Sequence, residues 1–153
     1  MSIYVNTKIR IKRNALQHEM MQKLTNGFKI FDSYRDILVL SAVIGYVNEK
    51  YVPIEKAASD GVLMQFFTES DYDLMDLIAY AYKKEQSILK SDEKYEIFSA
   101  YANGGFPILL NSLQITSETT IDSTQQENIL TKIYAKLLSN QFNVESAEND
   151  LFI

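Results

Sequence analysis

The residue types that most often carry catalysis are scarce in this sequence. His18 is the only histidine, so the two-histidine i, i+4 geometry of a zinc site is absent. No Gly-x-Ser-x-Gly sequence presents a serine nucleophile, and Gly104-Gly105 lacks the Lys-Ser/Thr pair of a phosphate-binding loop. The chain has no cysteine, which excludes disulfides, thiolate metal sites and cysteine nucleophiles. We therefore predict no catalytic residue, no metal site and no cofactor.

Acidic residues are the remaining candidates for chemistry. Asp71, Asp73 and Asp76 recur along one predicted helix, but only Asp73 and Asp76 lie three residues apart and share a face. Near a helix N-terminus such carboxylates oppose the helix dipole, which is how we interpret them. Two Glu-Lys pairs, at 49–50 and 55–56, are similar to fragments of nuclease sites, which need a further carboxylate to hold a metal. A small nuclease-like enzyme is therefore the least favoured alternative.

The first 13 residues form a basic segment, with four cations and no acid: Lys8, Arg10, Lys12 and Arg13. Three of these cations alternate with Ile9 and Ile11, which is the period-2 pattern of a strand with one polar and one apolar face. A strand followed by two helices is the order of a ribbon-helix-helix unit, whose paired strands enter the major groove of DNA. The alternative is that the isoleucines cover the core while the cations stay solvated. The four cations are our candidate DNA-binding residues.

The composition is that of one globular domain. The chain has 153 residues, of which 46% are hydrophobic and 23% charged, and its net charge is -5. Outside the basic segment acids outnumber bases, so the body repels phosphate backbones and any contact with nucleic acid must be local. No apolar run has the length of a signal peptide core or of a membrane span, which predicts a cytoplasmic protein without membrane contact.

Apolar residues recur mostly at helical spacing. The caps and stripes predict a mainly α fold, a compact helical domain of about five or six helices with its body over 14–113, preceded by the basic arm or a short strand over 1–13. The glycine pair 104–105 is expected to end a helix that Ser91 opens, and Pro107 to begin a short helix ending near Leu113. Other helices are predicted over 14–25, from Asp32 or Ser33 to the residues before Pro53, and from Ser70.

The C-terminal third has a different character. Residues 114–122 are polar and rich in threonine and serine, which predicts a linker. Residues 123–141 carry a continuous apolar stripe that must cover either its own domain or another chain, so we expect a homo-oligomer. The tail 142–153 is acidic and then apolar. Its residues Leu151 and Phe152 are candidate anchors for a protein partner, and the alternatives are that the tail folds back on the helix or has no role.

Three segments of the sequence carry a resemblance to a known family. They are Tyr-Arg-Asp-Ile-Leu at 34–38 leading to Gly45-Tyr46, Val-Pro-Ile-Glu-Lys at 52–56, and Tyr-Glu-Ile-Phe at 95–98 leading to Tyr-Ala-Asn-Gly-Gly at 101–105. In order and spacing they resemble the DNA phosphorothioation-associated (dnd system-associated) protein 4 family. The resemblance covers roughly residues 8–113. The chain departs from the pattern in its Ala-Ala-Ser-Asp-Gly segment at 57–61 and in its C-terminal helix and tail.

The resemblance implies a role in a bacterial DNA sulphur modification and restriction system that acts against phage, but no catalytic residue carries over from it. We expect a non-enzymatic accessory or adaptor protein that contacts other proteins of the defence system and touches DNA locally through its arm. The alternative is a ribbon-helix-helix-like DNA-binding transcription regulator, which would have to dimerise to pair its strands.

Overall fold

The computed structural model describes residues 1–116 of the chain. It contains the short strands β1 (Arg10–Ile11) and β2 (Val62–Leu63) and the helices α1 (His18–Gln22), α2 (Tyr34–Val47), α3 (Glu69–Lys83) and α4 (Glu93–Leu113). The mainly α class is confirmed. The described part has four α-helices, somewhat fewer than predicted, and the helix expected over 123–141 lies outside the described residues, as do most of the linker and the whole tail.

The helix expected over 14–25 has a mixed geometry. A 3₁₀ turn over Ala15–Gln17 leads into α1, and a π-helical turn over Lys23–Gly27 follows. Asn14 caps this segment, its side chain accepting a hydrogen bond from the N–H of Leu16 at 2.7 Å. The apolar segment after Gly61, whose local pattern fits a strand or a helical turn, contains both, because β2 runs into a 3₁₀ turn over Met64–Phe66.

Helices α2 and α3 begin where short polar side chains cap them. The Ser33 hydroxyl accepts from the N–H of Asp36 at 3.4 Å, as the sequence predicts. The start of α3 was expected at Ser70 but lies one residue earlier, because Thr68 and Asp71 form a reciprocal capping box. The Asp71 N–H donates to the Thr68 hydroxyl at 3.3 Å, and the Thr68 N–H donates to the Asp71 carboxylate at 2.8 Å.

Helix α4 is the central element, and it is where the sequence prediction was wrong. Gly104 and Gly105 do not end a helix, and α4 continues through them and through Pro107 to Leu113. No glycine in residues 1–116 has a positive φ, so the pair does not form a left-handed cap. A Cβ at Gly104 would overlap the backbone of Lys50, and a Cβ at Gly105 would overlap the backbone of Ser41. The pair therefore serves close packing of the chain around α4.

The contact between α2 and α4 is the most extensive one between elements of the described residues. A Cβ at Gly45 would overlap the carbonyl of Tyr101, so this glycine permits the two helices to pack closely. Of residues 94–106 in α4, every one except Glu96 is buried. The core around this helix also takes in the other α-helices, β1 and β2, through buried side chains such as Ile11, Met21, Ile37, Val62 and Met75.

The N-terminal segment packs onto this core. Strand β1 pairs antiparallel with β2 of the same chain, with Ile11 opposite Val62. The Tyr4 hydroxyl donates to the Asp92 carboxylate at 2.7 Å, and the Asn6 N–H donates to the Tyr95 hydroxyl at 2.8 Å. A ribbon-helix-helix unit pairs its strands between two chains, whereas β1 finds its partner within one chain. The ribbon-helix-helix interpretation is therefore wrong for this fold.

Candidate nucleic-acid interface

The alternating pattern of the basic segment is realised in the structure. Ile11 is buried and Ile9 packs against the core, while Lys8, Arg10 and Lys12 are exposed. The Arg10 guanidinium donates a long hydrogen bond of 3.4 Å to the carbonyl of Gly61, so its remaining N–H groups stay available. Three predicted DNA-binding cations thus lie on the solvent side of one short segment.

Arg13 differs from the other three cations because its side chain is buried, with only 6% of the residue exposed. Its Nε–H donates to Nδ1 of His18 at 3.1 Å, one Nη–H donates to the carbonyl of Asp60, and the guanidinium lies 4.7 Å from the centre of the Tyr34 ring. The His18 ring also packs against Tyr34. The only histidine therefore orients an arginine within the fold, and Arg13 does not belong to the exposed face.

The exposed cations border a groove of about 530 Å³, the mixed-charge groove, between residues 8–12, the Ala57–Gly61 segment and the start of α4. Its far wall is acidic, with Asp92, Glu93 and Glu96. Lys12 already pairs with Glu96 at 3.2 Å, and both side chains are more than half exposed. Because acids oppose the cations across the groove, the interior of the groove disfavours a phosphate backbone.

The three aspartates of α3 each have a cationic partner. Asp76 accepts from Nζ of Lys94 at 2.8 Å, and Asp73 lies 3.4 Å from the N-terminal amine. Asp71 accepts from Nε of Arg35 at 2.7 Å. No group of three acidic or histidine side chains in residues 1–116 could hold a metal ion. The three aspartates therefore stabilise the fold.

Lys94 was missed at the sequence level. It is 1% exposed, and besides Asp76 its ammonium group donates to the carbonyls of Tyr4 and Leu89 at 2.5 and 2.9 Å. These three hydrogen bonds satisfy all its donors and join the N-terminal segment, α3 and α4. Its position in the sequence could have indicated its burial, because Lys94 lies four residues before Phe98 and therefore on the apolar face of the same helix.

A cluster of tyrosines was also missed, at the end of α2. Tyr51 stacks on Tyr82 with ring centres 4.4 Å apart, and both contact the edge of Tyr101, which in turn contacts Tyr46. Tyr46 and Tyr82 are each more than 40% exposed, and so is Val52, which follows Tyr51 in the sequence. Burial raises the pKa of Tyr51 to about 12, so its hydroxyl stays protonated well above neutral pH. Exposed aromatic rings of this kind are typical of protein interfaces.

The remaining predicted site residues, Leu151 and Phe152, lie outside the described residues. Among the described ones, no helix is long and apolar enough to cross a membrane.

The fold and the site thus define a mainly α protein with a basic strand segment on its surface and no recognisable catalytic centre in the part described. A family model described as DNA sulphur modification system-associated protein 4 matches residues 10–150. The chain belongs to this family, which confirms the resemblance seen in the sequence. The match also covers the C-terminal segment that the three motifs did not reach. Searches of curated proteins and of solved structures found no match.

Proposed function

We propose that this protein is a non-enzymatic accessory or adaptor of a bacterial DNA sulphur modification system. In this role it contacts other proteins of the system in the cytoplasm, assembles with copies of itself, and touches DNA locally through Lys8, Arg10 and Lys12. Family membership supports the link to the system. The role against phage is part of the proposal and follows from the family resemblance.

The observation that carries the DNA contact is the one-sided exposure of the three cations. Their neighbours Ile9 and Ile11 anchor the segment to the core, so the cations are held on a fixed backbone and not on a loose terminus. Fixed cations lose less conformational entropy on binding a phosphate than mobile ones. The acidic wall of the mixed-charge groove limits the contact to a few phosphates.

The adaptor role is supported by the exposed tyrosines at the end of α2. Tyrosine supplies a large rigid contact area with a polar tip, and it is enriched at interface hot spots. Tyr46 and Tyr82 are exposed, and both pack against the buried ring of Tyr101, which holds the exposed rings in place.

A titration with plain and phosphorothioated DNA at two salt concentrations tests the DNA contact. Replacing Lys8, Arg10 and Lys12 together with alanine should weaken DNA binding and lower the slope of log affinity against log salt by about 0.9 for each phosphate that the variant no longer neutralises.

The matched control replaces Lys50, Lys83 and Lys90, which are exposed cations outside the N-terminal segment. It makes the same change in net charge and should bind DNA nearly as well as the native protein. Absence of DNA binding by the native protein at low salt, or an equal fall in affinity in both triple variants, would refute the proposed contact.

A further inference from the structure

A second groove, of about 340 Å³, lies between β1, the first residues of α2 and the Asp60–Phe66 segment. We call it the arginine groove, because Arg10, Arg13 and Arg35 all line it. Tyr34 and Phe66 add aromatic surface, and Phe66 is 59% exposed. Asp60 is the one acid among its lining residues.

The three arginines differ in how their charge is balanced. Arg35 is neutralised by two carboxylates, those of Asp36 and Asp71, at 2.6 and 2.5 Å. Arg13 is more deeply buried, yet within residues 1–116 no carboxylate lies within ion-pair distance of it. Its two hydrogen bonds end on neutral acceptors, and they use two of its five N–H groups.

A buried guanidinium without a counter-charge is costly, because arginine cannot shed its proton as a buried lysine can. The neutral acceptors and the Tyr34 ring offset only part of the lost hydration. An anion in the groove would supply the missing charge. Arg10, which is exposed at the same groove, would add a second cation to it.

The start of α2 gives the groove a further preference for anions. Tyr34 and Arg35 occupy the first turn of this 14-residue helix, where the helix itself supplies no acceptor for their N–H groups. The Ser33 side chain caps only the N–H of Asp36. Uncapped N–H groups and the positive end of the helix dipole together favour a phosphate group.

We propose that the arginine groove binds the phosphate of a nucleotide unit. Arg10 and Arg13 balance its charge, the first turn of α2 donates hydrogen bonds to its oxygens, and the exposed Phe66 ring stacks on the attached base. The phosphate ester can belong to DNA or to a free nucleotide. The inference rests on the proposed function in one respect, since Arg10 also belongs to the exposed cations of the arm.

The experiment is a titration of the full-length, ¹⁵N-labelled protein with inorganic phosphate at low ionic strength, followed by NMR. The backbone amides of Tyr34, Arg35 and Gly61 should shift together along one saturable curve.

Arg10→Gln should weaken the binding of phosphate. Asp60→Asn should tighten it roughly twofold to fivefold, because it removes the acid from the groove and keeps the carbonyl that Arg13 uses. This gain cannot arise from misfolding. Glu55→Gln is the matched control, as an exposed acid that does not line the groove, and should leave the affinity unchanged.

Failure of phosphate to shift these amides, or unchanged affinity in Asp60→Asn, would overturn the proposal. Competition then identifies the source of the phosphate. An oligonucleotide that displaces phosphate at lower concentration than a 5′-mononucleotide identifies DNA, and the reverse order identifies a free nucleotide. Phe66→Ala should weaken either of these more than inorganic phosphate.

A Lys8→Gln, Lys12→Gln variant separates the two proposals, because neither lysine lines the arginine groove. It should lose affinity for DNA while binding phosphate normally. If the native protein binds phosphate at the groove but does not bind DNA, the proposed DNA contact of the arm is refuted. The groove then remains a nucleotide site.

Discussion

Asp71 is the third residue of α3, and its side chain is only 5% exposed. Burial alone would raise the pKa of this carboxyl. The hydrogen bonds from Arg35 and from the Thr68 backbone outweigh that effect, so the pKa of Asp71 is lowered overall. A carboxyl whose pKa is lower in the folded state adds stability above its unfolded pKa of about 3.9 and loses it as the pH falls through the folded value.

Asp71→Asn should therefore lower the free energy of unfolding at pH 7 by about 1–3 kcal/mol, because it weakens charged hydrogen bonds to a buried group. The difference from the native protein should begin to shrink as the pH falls below about 4, where the carboxyl takes up a proton in the unfolded chain, and should disappear as the pH falls through the lower pKa of the folded Asp71. Urea unfolding at pH 7 and near pH 3 measures both quantities. Asp73→Asn is the control, since Asp73 is 44% exposed and, among the described residues, pairs only with the N-terminal amine. A difference that stays constant with pH would contradict this account.

The sequence placed Asp71 and Asp73 near the start of a helix and assigned both to its dipole. For Asp73 no closer partner than the N-terminal amine appears among the described residues. For Asp71 the main partner is Arg35, which lies 36 positions away in sequence. Local spacing cannot reveal such a pair, because it exists only once α2 and α3 have packed together.

The helices, like the aspartates, were predicted correctly where neighbouring residues decide the structure and wrongly where distant residues decide it. Caps and apolar stripes predicted the start of α2 to within two residues and the start of α3 to within one, because the groups that decide them are neighbours in sequence. The glycine pair 104–105 was misjudged because a glycine can serve either a left-handed turn or a close contact. Its contacts with Ser41 and Lys50 decide between the two, and they come from other parts of the chain.

Gly105→Ala should destabilise the protein by about 1–3 kcal/mol, although alanine is the better helix former by about 1 kcal/mol. The added methyl group would overlap the backbone in the middle of α2, which cannot move without disturbing the core. Gly104→Ala should cost less, because its obstacle is Lys50, in the connection after α2. Thermal and urea unfolding of both variants measure the difference. A Gly105→Ala protein more stable than the native one would show that the two helices are not in close contact.

The charge of the whole molecule is unevenly divided. Residues 1–116 hold 13 basic and 14 acidic residues, so the described part is nearly neutral. The remaining 37 residues hold 2 basic and 6 acidic residues and therefore carry most of the net charge of -5. An acidic segment that ends in Leu151, Phe152 and Ile153 suits a partner with an apolar pocket and a basic rim.

Removing residues 148–153 should leave the melting temperature unchanged and abolish binding to one purified protein of the DNA sulphur modification system. A synthetic peptide of these residues should compete for the same partner. Leu151→Ala with Phe152→Ala should reproduce this effect, whereas Glu148→Gln with Asp150→Asn should mainly slow association. A truncated protein that is destabilised by about 1–3 kcal/mol yet keeps every partner would show that the tail packs on its own chain instead.

The continuity of α4 also determines when the protein can fold during its synthesis. The core forms around this helix, and α4 ends 66 residues after α2 does. At about 5–20 residues per second, the ribosome needs roughly 3–13 s to make that length. Throughout this interval the apolar face of α2 has been made but lacks the helix that buries it. We therefore expect the nascent chain to offer this apolar face to chaperones until α4 has left the ribosome.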